Sequence, residues 1–518
     1  MTNEQIKKLE AQLWSAADDL RANSKLTAAE YKDPVLGLIL LRFAQNRFED
    51  AKRELEKNLS VNPRTGRKRE LTKDDFIGAG AIYIQEKSKY DYLASLPEGE
   101  DINEAVNEAM RLIEADYPDL EGILPKNYQE FDRDLLKGLI RIFNTEEVRT
   151  IEGDAFGRIY EYFLMKFSMS GAGAQEGGEF FTPPSLVQLI VNFIEPDHGI
   201  VHDPACGSGG MFVQTGYFVE QHTNKSVNEA ITVYGTELKT NNVKLAKMNL
   251  AIHGIEGKII EDNSFYADPH HLVGKCNFVM ANPPFNVKKV DKNKEFVKND
   301  PRLPFGLPRN DNGNYLWIQY FHSYLNETGR AGFIMASSAA DAGNSEKLIR
   351  QKLIETGDVE AIVSVGNNFF YTRSLPCHIW FFNKAKRDKE SILMIDARHT
   401  FRKVTQTIND FSPEQLEGLT ALIKHYRGEE VDFGNNTWLE ENFPKGEYED
   451  REGLCKVASL KEIEENDYSL NPGRYVGFSI KVDPNFDYKG RMKEIHEELA
   501  KLNKESIELM NNIQGFMP

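Results

Sequence analysis

Residues Ile200–Phe212 read IVHDPACGSGGMF. An apolar run stops at an acid, Asp203. A turn containing Gly207, Gly209 and Gly210 follows, and a helical pattern then continues to His222. A strand that passes through glycines into a helix is the opening of a doubly wound α/β unit. The pattern repeats outward from it. GIVHD, ITVYG, FVMAN, AGFIMA, VEAIVSV, HIWFF and ILMID are short strand candidates between Gly199 and Asp396, and helical stretches such as Gly209–His222 and Lys239–His253 lie between several of them. This alternation predicts a mostly parallel sheet covered by helices on both faces, the fold class being α/β and Rossmann-like.

The flanks read differently. EQIKKLEAQLWSAADDLRA and VLGLILLRFAQNRFEDAKRELEKN carry apolar residues at three- and four-residue spacing, and FGRIYEYFLMKF (Phe156–Phe167) is an amphipathic helix. Residues 1–168 are therefore expected to form a helical N-terminal domain. SMSGAGAQEGGE (Ser168–Glu179) is a Gly- and Ser-rich connector, and 169–397 is the α/β domain. Residues 398–488 are polar and are expected to form a small subdomain. In 489–518, Met492, Ile495, Leu499, Leu502, Leu509 and Ile513 fall on heptad a and d positions, with Ser506 as the one polar a. That pattern fits a C-terminal helix packed on its own domain, or one that joins a partner's coiled coil.

The chain has 518 residues, 40% of them hydrophobic and 28% charged, with a net charge of −17. The longest apolar candidate, Val35–Phe43, is too short to cross a membrane and contains Arg42, so it reads as a buried helix. MTNEQIKKLE has no apolar signal region. Four cysteines (Cys206, Cys276, Cys377, Cys455) lack metal-ligand spacing, which fits a cytoplasmic protein with no disulfide framework and no zinc. The acidic balance argues against a protein that grips a long stretch of nucleic acid unaided.

Three ligands compete for the glycine loop. A phosphate-binding loop ends in Gly-Lys-Ser/Thr, which is absent here. A dinucleotide fingerprint needs a third glycine where Phe212 stands. S-Adenosylmethionine (SAM) carries no phosphate, so Gly207, Gly209 and Gly210 need only let the backbone approach closely, and Asp203 offers negative charge to a zwitterionic sulfonium. A tight strand-to-helix turn without a ligand is the plainer alternative. Two further acids favour SAM. Glu237 ends the second strand, where a carboxylate can accept both ribose hydroxyls, and Asp262 ends the next, where it can accept from an adenine amino group.

ANPPFN (Ala281–Asn286) ends the fourth strand. An exocyclic amine conjugated to an aromatic ring is a poor nucleophile. If the Asn282 side-chain oxygen and the Pro283 carbonyl accept its two hydrogens, the nitrogen becomes more tetrahedral and its lone pair can face the SAM methyl group. Pro283 and Pro284 fix φ and present carbonyls rigidly. Phe285 can stack on a base swung out of the duplex. Positioning of both reactants is the main catalytic device, and no metal is needed.

These segments together resemble the SAM-dependent DNA amino-methyltransferases, and in particular the modification subunit of type I restriction-modification systems. GGEFFTPPSLVQLIV, DPACGSGG, NPPF, GNYLWIQYFHSYL, GRAGFIMASSAADAGNSEKLIRQKLIE and NDYSLNPGRYV are similar to motifs of that family. The resemblance implies an adenine-N6 DNA methyltransferase in which Phe181, Thr182 and Pro183 line the methionine end of SAM. Asp203, Cys206, Gly207 and Gly209 contact the cofactor, Glu237 holds its ribose and Asp262 its adenine, and Asn282, Pro283 and Phe285 hold the target base. Thr182 also suits the N-cap of a helix opened by proline. The family implies double-stranded DNA as substrate and, as partners, a restriction subunit and a specificity subunit that reads the sequence, with two modification subunits for each specificity subunit. No membrane partner is expected.

Asn286–Arg309 has seven basic and three acidic residues directly after NPPF. It fits either a loop that orders on DNA and holds phosphates or a merely solvated loop. The alternatives for the whole chain are a solitary or other phage-defence DNA methyltransferase, a protein glutamine methyltransferase, and a non-catalytic scaffold.

Overall fold

The computed structural model describes residues 3–59, 69–79, 81–117, 120–151, 153–169, 182–309, 312–370, 374–406, 408–434, 436–477 and 488–514. Its strands, in chain order, are β1 (Gly199–Asp203), β2 (Ile231–Glu237), β3 (Gly257–Glu261), β4 (Cys276–Ala281), β5 (Leu325–Ala336), β6 (Val359–Val365), β7 (Cys377–Asn383), β8 (Ser391–Ala397), β9 (Arg402–Lys403), β10 (Asn409–Asp410) and β11 (Cys455–Ser459). Nine of them form one sheet in the order β11-β8-β6-β7-β5-β4-β1-β2-β3. β1 pairs in parallel with β2 on one side and with β4 on the other. The chain therefore runs outward from β1 to β3 and then reverses across it, so the switch point of the sheet falls between the glycine loop and the end of β4. β7 is reversed, pairing antiparallel with both β5 and β6.

Burial on both faces makes the central strands near-continuous apolar runs, and β6, β7 and β8 are buried at every residue. β4 shows how the faces separate. Phe278 and Met280 join the core that contains Leu186 and Ile190 of the helix Pro184–Ile194. Val279 and Ala281 join the core that contains Trp317 and Phe321 of the helix Asn314–Tyr324.

The N-terminal region is helical. Its helix Ala28–Asn58 starts at a capping box, in which Thr27 Oγ1 accepts from the Glu30 N–H and Glu30 Oε2 from the Thr27 N–H. Val35 to Phe43 are buried inside this helix, and Arg42 is buried with them, donating to Asp91, Asn144 and Asn46. The core of this region takes in Leu245, Met248 and Ile252 from the helix Thr240–Ile252 that follows β2. Helical region and sheet thus share packed surface beside the glycine loop.

The sheet continues beyond Ala397. β11 pairs antiparallel with β8, and Leu416, Leu419 and Leu422 of the helix Pro413–Tyr426 join the core on the face of Pro184–Ile194. The chain divides into two compact units, Met1–Val476 and Gly477–Pro518. In the second unit, Tyr488–Gln514 is one helix on which Leu499, Leu502 and Leu509 are exposed. The side chain of Ile513 lies outside the described residues.

Candidate active site

The glycine loop joins β1 to the helix Gly210–His222. Asp203 Oδ1 accepts from the Ala205 N–H at 2.9 Å, closing the first turn. The Cys206 N–H donates to the Thr236 carbonyl at 3.1 Å, the Gly209 N–H to the Cys206 carbonyl at 2.9 Å, and Asn249 Nδ2 to the Ser208 carbonyl at 3.0 Å. The loop is therefore shaped before any ligand arrives. Gly207 (φ 54°) and Gly209 (φ 79°) are both left-handed. A Cβ added at Gly207 would meet no atom within 4 Å, so the backbone there faces open space rather than packed protein. Burial raises the Asp203 carboxyl well above its ordinary range; the Ala205 N–H opposes this and the nearby Glu237 charge adds to it.

Glu237 ends β2 and Asp262 is the residue after the end of β3, and both line the cavity beside the loop. Glu237 Oε2 accepts from the Gly207 N–H at 3.0 Å and Oε1 from the Lys239 N–H at 2.9 Å, so the end of β2 clamps the loop. The Asp262 N–H donates to the Glu237 carbonyl at 3.0 Å, and Asp262 Oδ1 accepts from the Asn263 N–H at 2.7 Å. The cavity measures about 220 Å³.

Asn282 and Pro284 line the same cavity, Pro283 is buried behind them, and Phe285 packs against the core with its ring edge-to-face with Phe370 at 6.3 Å. Asn282 Nδ2 donates to Thr182 Oγ1 at 2.9 Å. That bond commits the amide nitrogen to the Thr182 hydroxyl and leaves the oxygen as the acceptor end of the side chain. It also corrects one expectation. Thr182 does not cap the following helix; Pro183 occupies the N-cap position, and its carbonyl accepts from the Leu186 and Val187 N–H groups. The hydroxyl serves Asn282 instead. Phe181 lies outside the described residues.

Further along, the Asn286 N–H donates to Asn314 Oδ1 at 2.8 Å and Asn314 Nδ2 donates to Asn286 Oδ1 at 3.0 Å. This reciprocal pair fixes the turn after NPPF. Asn314 is buried and begins the helix that covers β4, so it steadies the tetrapeptide from behind.

The basic segment after NPPF folds back on the protein. Arg302 is fully buried, forked onto Asp300 and donating to the Ser264 and Ala267 carbonyls, with its guanidinium 4.0 Å from the centroid of the Tyr320 ring. Lys292 is buried and donates to the Pro308 and Arg309 carbonyls. Two of the seven cations are thus consumed internally, while Lys288, Lys289, Lys294 and Lys298 are exposed.

The residues present fit SAM. The loop carries no lysine or arginine for a phosphate, its glycine backbone faces the cavity, and carboxylates occupy consecutive strand ends. Leu238 follows Glu237 and is 57% exposed at the cavity, an apolar surface suited to a flat base. A large apolar side chain directly after a strand-end acid is a signal the sequence reading passed over. Lys32, Glu161 and Gln214 also line the cavity. The first two come from the helical region, where no local pattern marks them.

Among the described residues no helix is long and apolar enough to cross a membrane, and no group of His, Cys, Asp and Glu could hold a metal ion.

Comparison with known proteins adds to this geometry. A family model described as N-6 DNA Methylase matches residues 151–483, and one described as HsdM N-terminal domain matches residues 9–143. The type I restriction enzyme MjaIX methylase subunit of Methanocaldococcus jannaschii is 36% identical over 532 residues, covering 98% of this chain and 90% of its own. The type I restriction enzyme HindI methylase subunit of Haemophilus influenzae is 33% identical over 455 residues, covering 84% of this chain and 97% of its own. The crystal structure of the type I restriction-modification system methyltransferase subunit from Streptococcus thermophilus shares the fold, with a TM-score of 0.72 and 22% identity over 91% of this chain and 99% of that one.

Proposed function

The chain belongs to the N-6 DNA methylase family, and from that premise we propose that it methylates the N6 amino group of adenine in DNA as the modification subunit of a type I restriction-modification assembly. SAM is the cofactor and, when bound, supplies an electrophilic methyl carbon on its sulfonium. The reading rests above all on Asn282, whose amide is oriented by Thr182 at the end of β4, at the switch point and beside the cavity built by the glycine loop, Glu237 and Asp262.

The chain's own groups divide the work. Gly207 and Gly209 let the loop backbone approach the cofactor, Asp203 and Cys206 shape that loop, Glu237 takes the ribose hydroxyls and Asp262 the adenine amino group of the cofactor. Thr182 and Pro183 border its methionine end. The Asn282 oxygen and the Pro283 carbonyl accept the two hydrogens of the target amine, so that its lone pair is directed rather than delocalised. Phe285 stacks on the extruded base. Holding the reactants in line supplies most of the acceleration.

A specificity subunit reads the DNA sequence, which suits a chain of net charge −17. Two modification subunits assemble on each specificity subunit, a restriction subunit joins them, and the assembly works in the cytoplasm. The helix Tyr488–Gln514 supplies the contact with the specificity subunit, a role supported by the exposure of Leu499, Leu502 and Leu509 along its heptad seam. Asn282→Ala tests the catalytic reading. Methyl transfer by the assembled complex is expected to fall to background while SAM binding stays within about twofold of wild type, because the amide holds the target amine and not the cofactor. Loss of SAM binding would show that the amide had been given the wrong role.

A further inference from the structure

Two charged side chains enter the cofactor cavity from outside the sheet. Lys32 belongs to the helix Ala28–Asn58 and Glu161 to the helix Gly153–Met169, and these two helices pack together. Glu161 accepts a hydrogen bond from Gln214, which lies in the second turn of the helix that follows the glycine loop. Its bonded partner is thus a neutral amide. Arg158, one turn earlier, pairs with Glu10 at 3.5 Å. Burial pushes the Glu161 carboxyl up to about 7 despite Gln214 and Arg158, with Glu10 adding to the rise. An acid in such a place opposes folding wherever it is ionised. Lys32 Nζ stands 3.6 Å from Asp33 Oδ1, a long contact for an ion pair.

Both side chains line the cavity, and Glu161 is bonded there to Gln214, which lies on the helix after the glycine loop and not at the strand ends that carry Glu237 and Asp262. If the adenosine half of the cofactor lies at those strand ends, its amino-acid half extends toward the helical region. That half carries one ammonium and one carboxylate. We propose that Glu161 receives the ammonium and Lys32 the carboxylate, so that the helical region reads the zwitterionic end of the cofactor while the sheet reads the nucleoside. The inference rests on the reading of this cavity as a SAM site, and it gives the helical region a direct part in cofactor selection.

Calorimetric binding to the full chain separates the two charges and both readings. The probes are SAM, decarboxylated SAM (which keeps the ammonium and lacks the carboxylate) and 5′-methylthioadenosine (which lacks both). Glu161→Gln is expected to weaken SAM and decarboxylated SAM by about tenfold or more, the loss of a charge-assisted hydrogen bond, with 5′-methylthioadenosine changed by less than about twofold. Lys32→Met is expected to weaken SAM by a similar factor and leave decarboxylated SAM within about twofold. In the ligand-free protein at pH 8, Glu161→Gln is expected to unfold at the wild-type urea concentration or a higher one, because an ionised carboxyl with a raised pKa works against folding. The inference is overturned if Glu161→Gln binds SAM as wild type does, if all three ligands weaken together, or if the variant unfolds at lower urea. Wild-type protein that binds none of the three would overturn the cofactor reading itself.

Discussion

Thr182→Val removes the acceptor that orients the Asn282 amide, to which we assign the target amine, and keeps the shape of the side chain. The hydrogen bond is 2.9 Å long and partly buried, and it joins residues a hundred positions apart. Without it, Asn282 Nδ2 loses its Thr182 partner and the amide is no longer fixed with its oxygen as the acceptor end. Removing one partner of such a bond costs about 1–3 kcal/mol. Charged to the transition state, that is a fall of roughly 5- to 150-fold in the methyl-transfer step at about 1.4 kcal/mol per decade. The assay is single-turnover transfer of a labelled methyl group to a DNA duplex by the complex with its specificity partner, so that product release does not mask the chemical step. SAM binding is measured in parallel and is expected to hold within about threefold, since the valine keeps the volume at the cavity wall. Thr182→Ser restores the hydroxyl and is expected to recover most of the rate. A Thr182→Val enzyme with wild-type single-turnover kinetics would refute the argument, as would a Thr182→Ser enzyme as slow as the valine variant.

Deleting residues 489–518 is expected to release the specificity subunit in co-purification while SAM binding is retained, because the helix Tyr488–Gln514 lies outside the unit that holds the cavity; a truncated chain that still co-purifies would remove that helix from the interface. Acid should weaken the fold before it touches most carboxylates. Burial pushes His202 down to about 3 and His378 down to about 4, so both stay neutral in the native state while the unfolded chain takes up protons near pH 6.5. Their contribution is therefore complete above pH 6.5 and is lost as the pH falls toward 4, with His378 alone accounting for on the order of 3 kcal/mol. Urea midpoints measured across that window are expected to fall with pH, and His378→Gln to flatten the slope; an unchanged slope would show that this histidine is already charged in the folded protein.

The features legible in the sequence are those that a few consecutive residues encode. Alternating apolar runs give the strands, and DPACGSGG, Glu237, Asp262 and NPPF each sit within a few residues of a strand end, so strand order alone gathers them at one edge of the sheet. The buried helix at Val35–Phe43 was legible for the same reason, since an apolar stretch too short for a membrane has only a core to enter. The packing supplied what no window of residues contains. β11 completes the sheet from beyond the last obvious strand because Cys455–Ser459 is short and weakly patterned until β8 offers it an edge. The segment after NPPF reads as strongly basic, yet Arg302 and Lys292 spend their charges on buried carbonyls and on Asp300. Thr182 looks like a helix cap and instead holds an amide a hundred residues away, and Lys32 and Glu161 line the cavity beside the glycine loop only because folding brings the helices that carry them to it. Periodicity and motif chemistry are local and survive in the linear text. Which distant polar group satisfies which is decided when burial strips away water and each donor must take the nearest acceptor that folding brings to it.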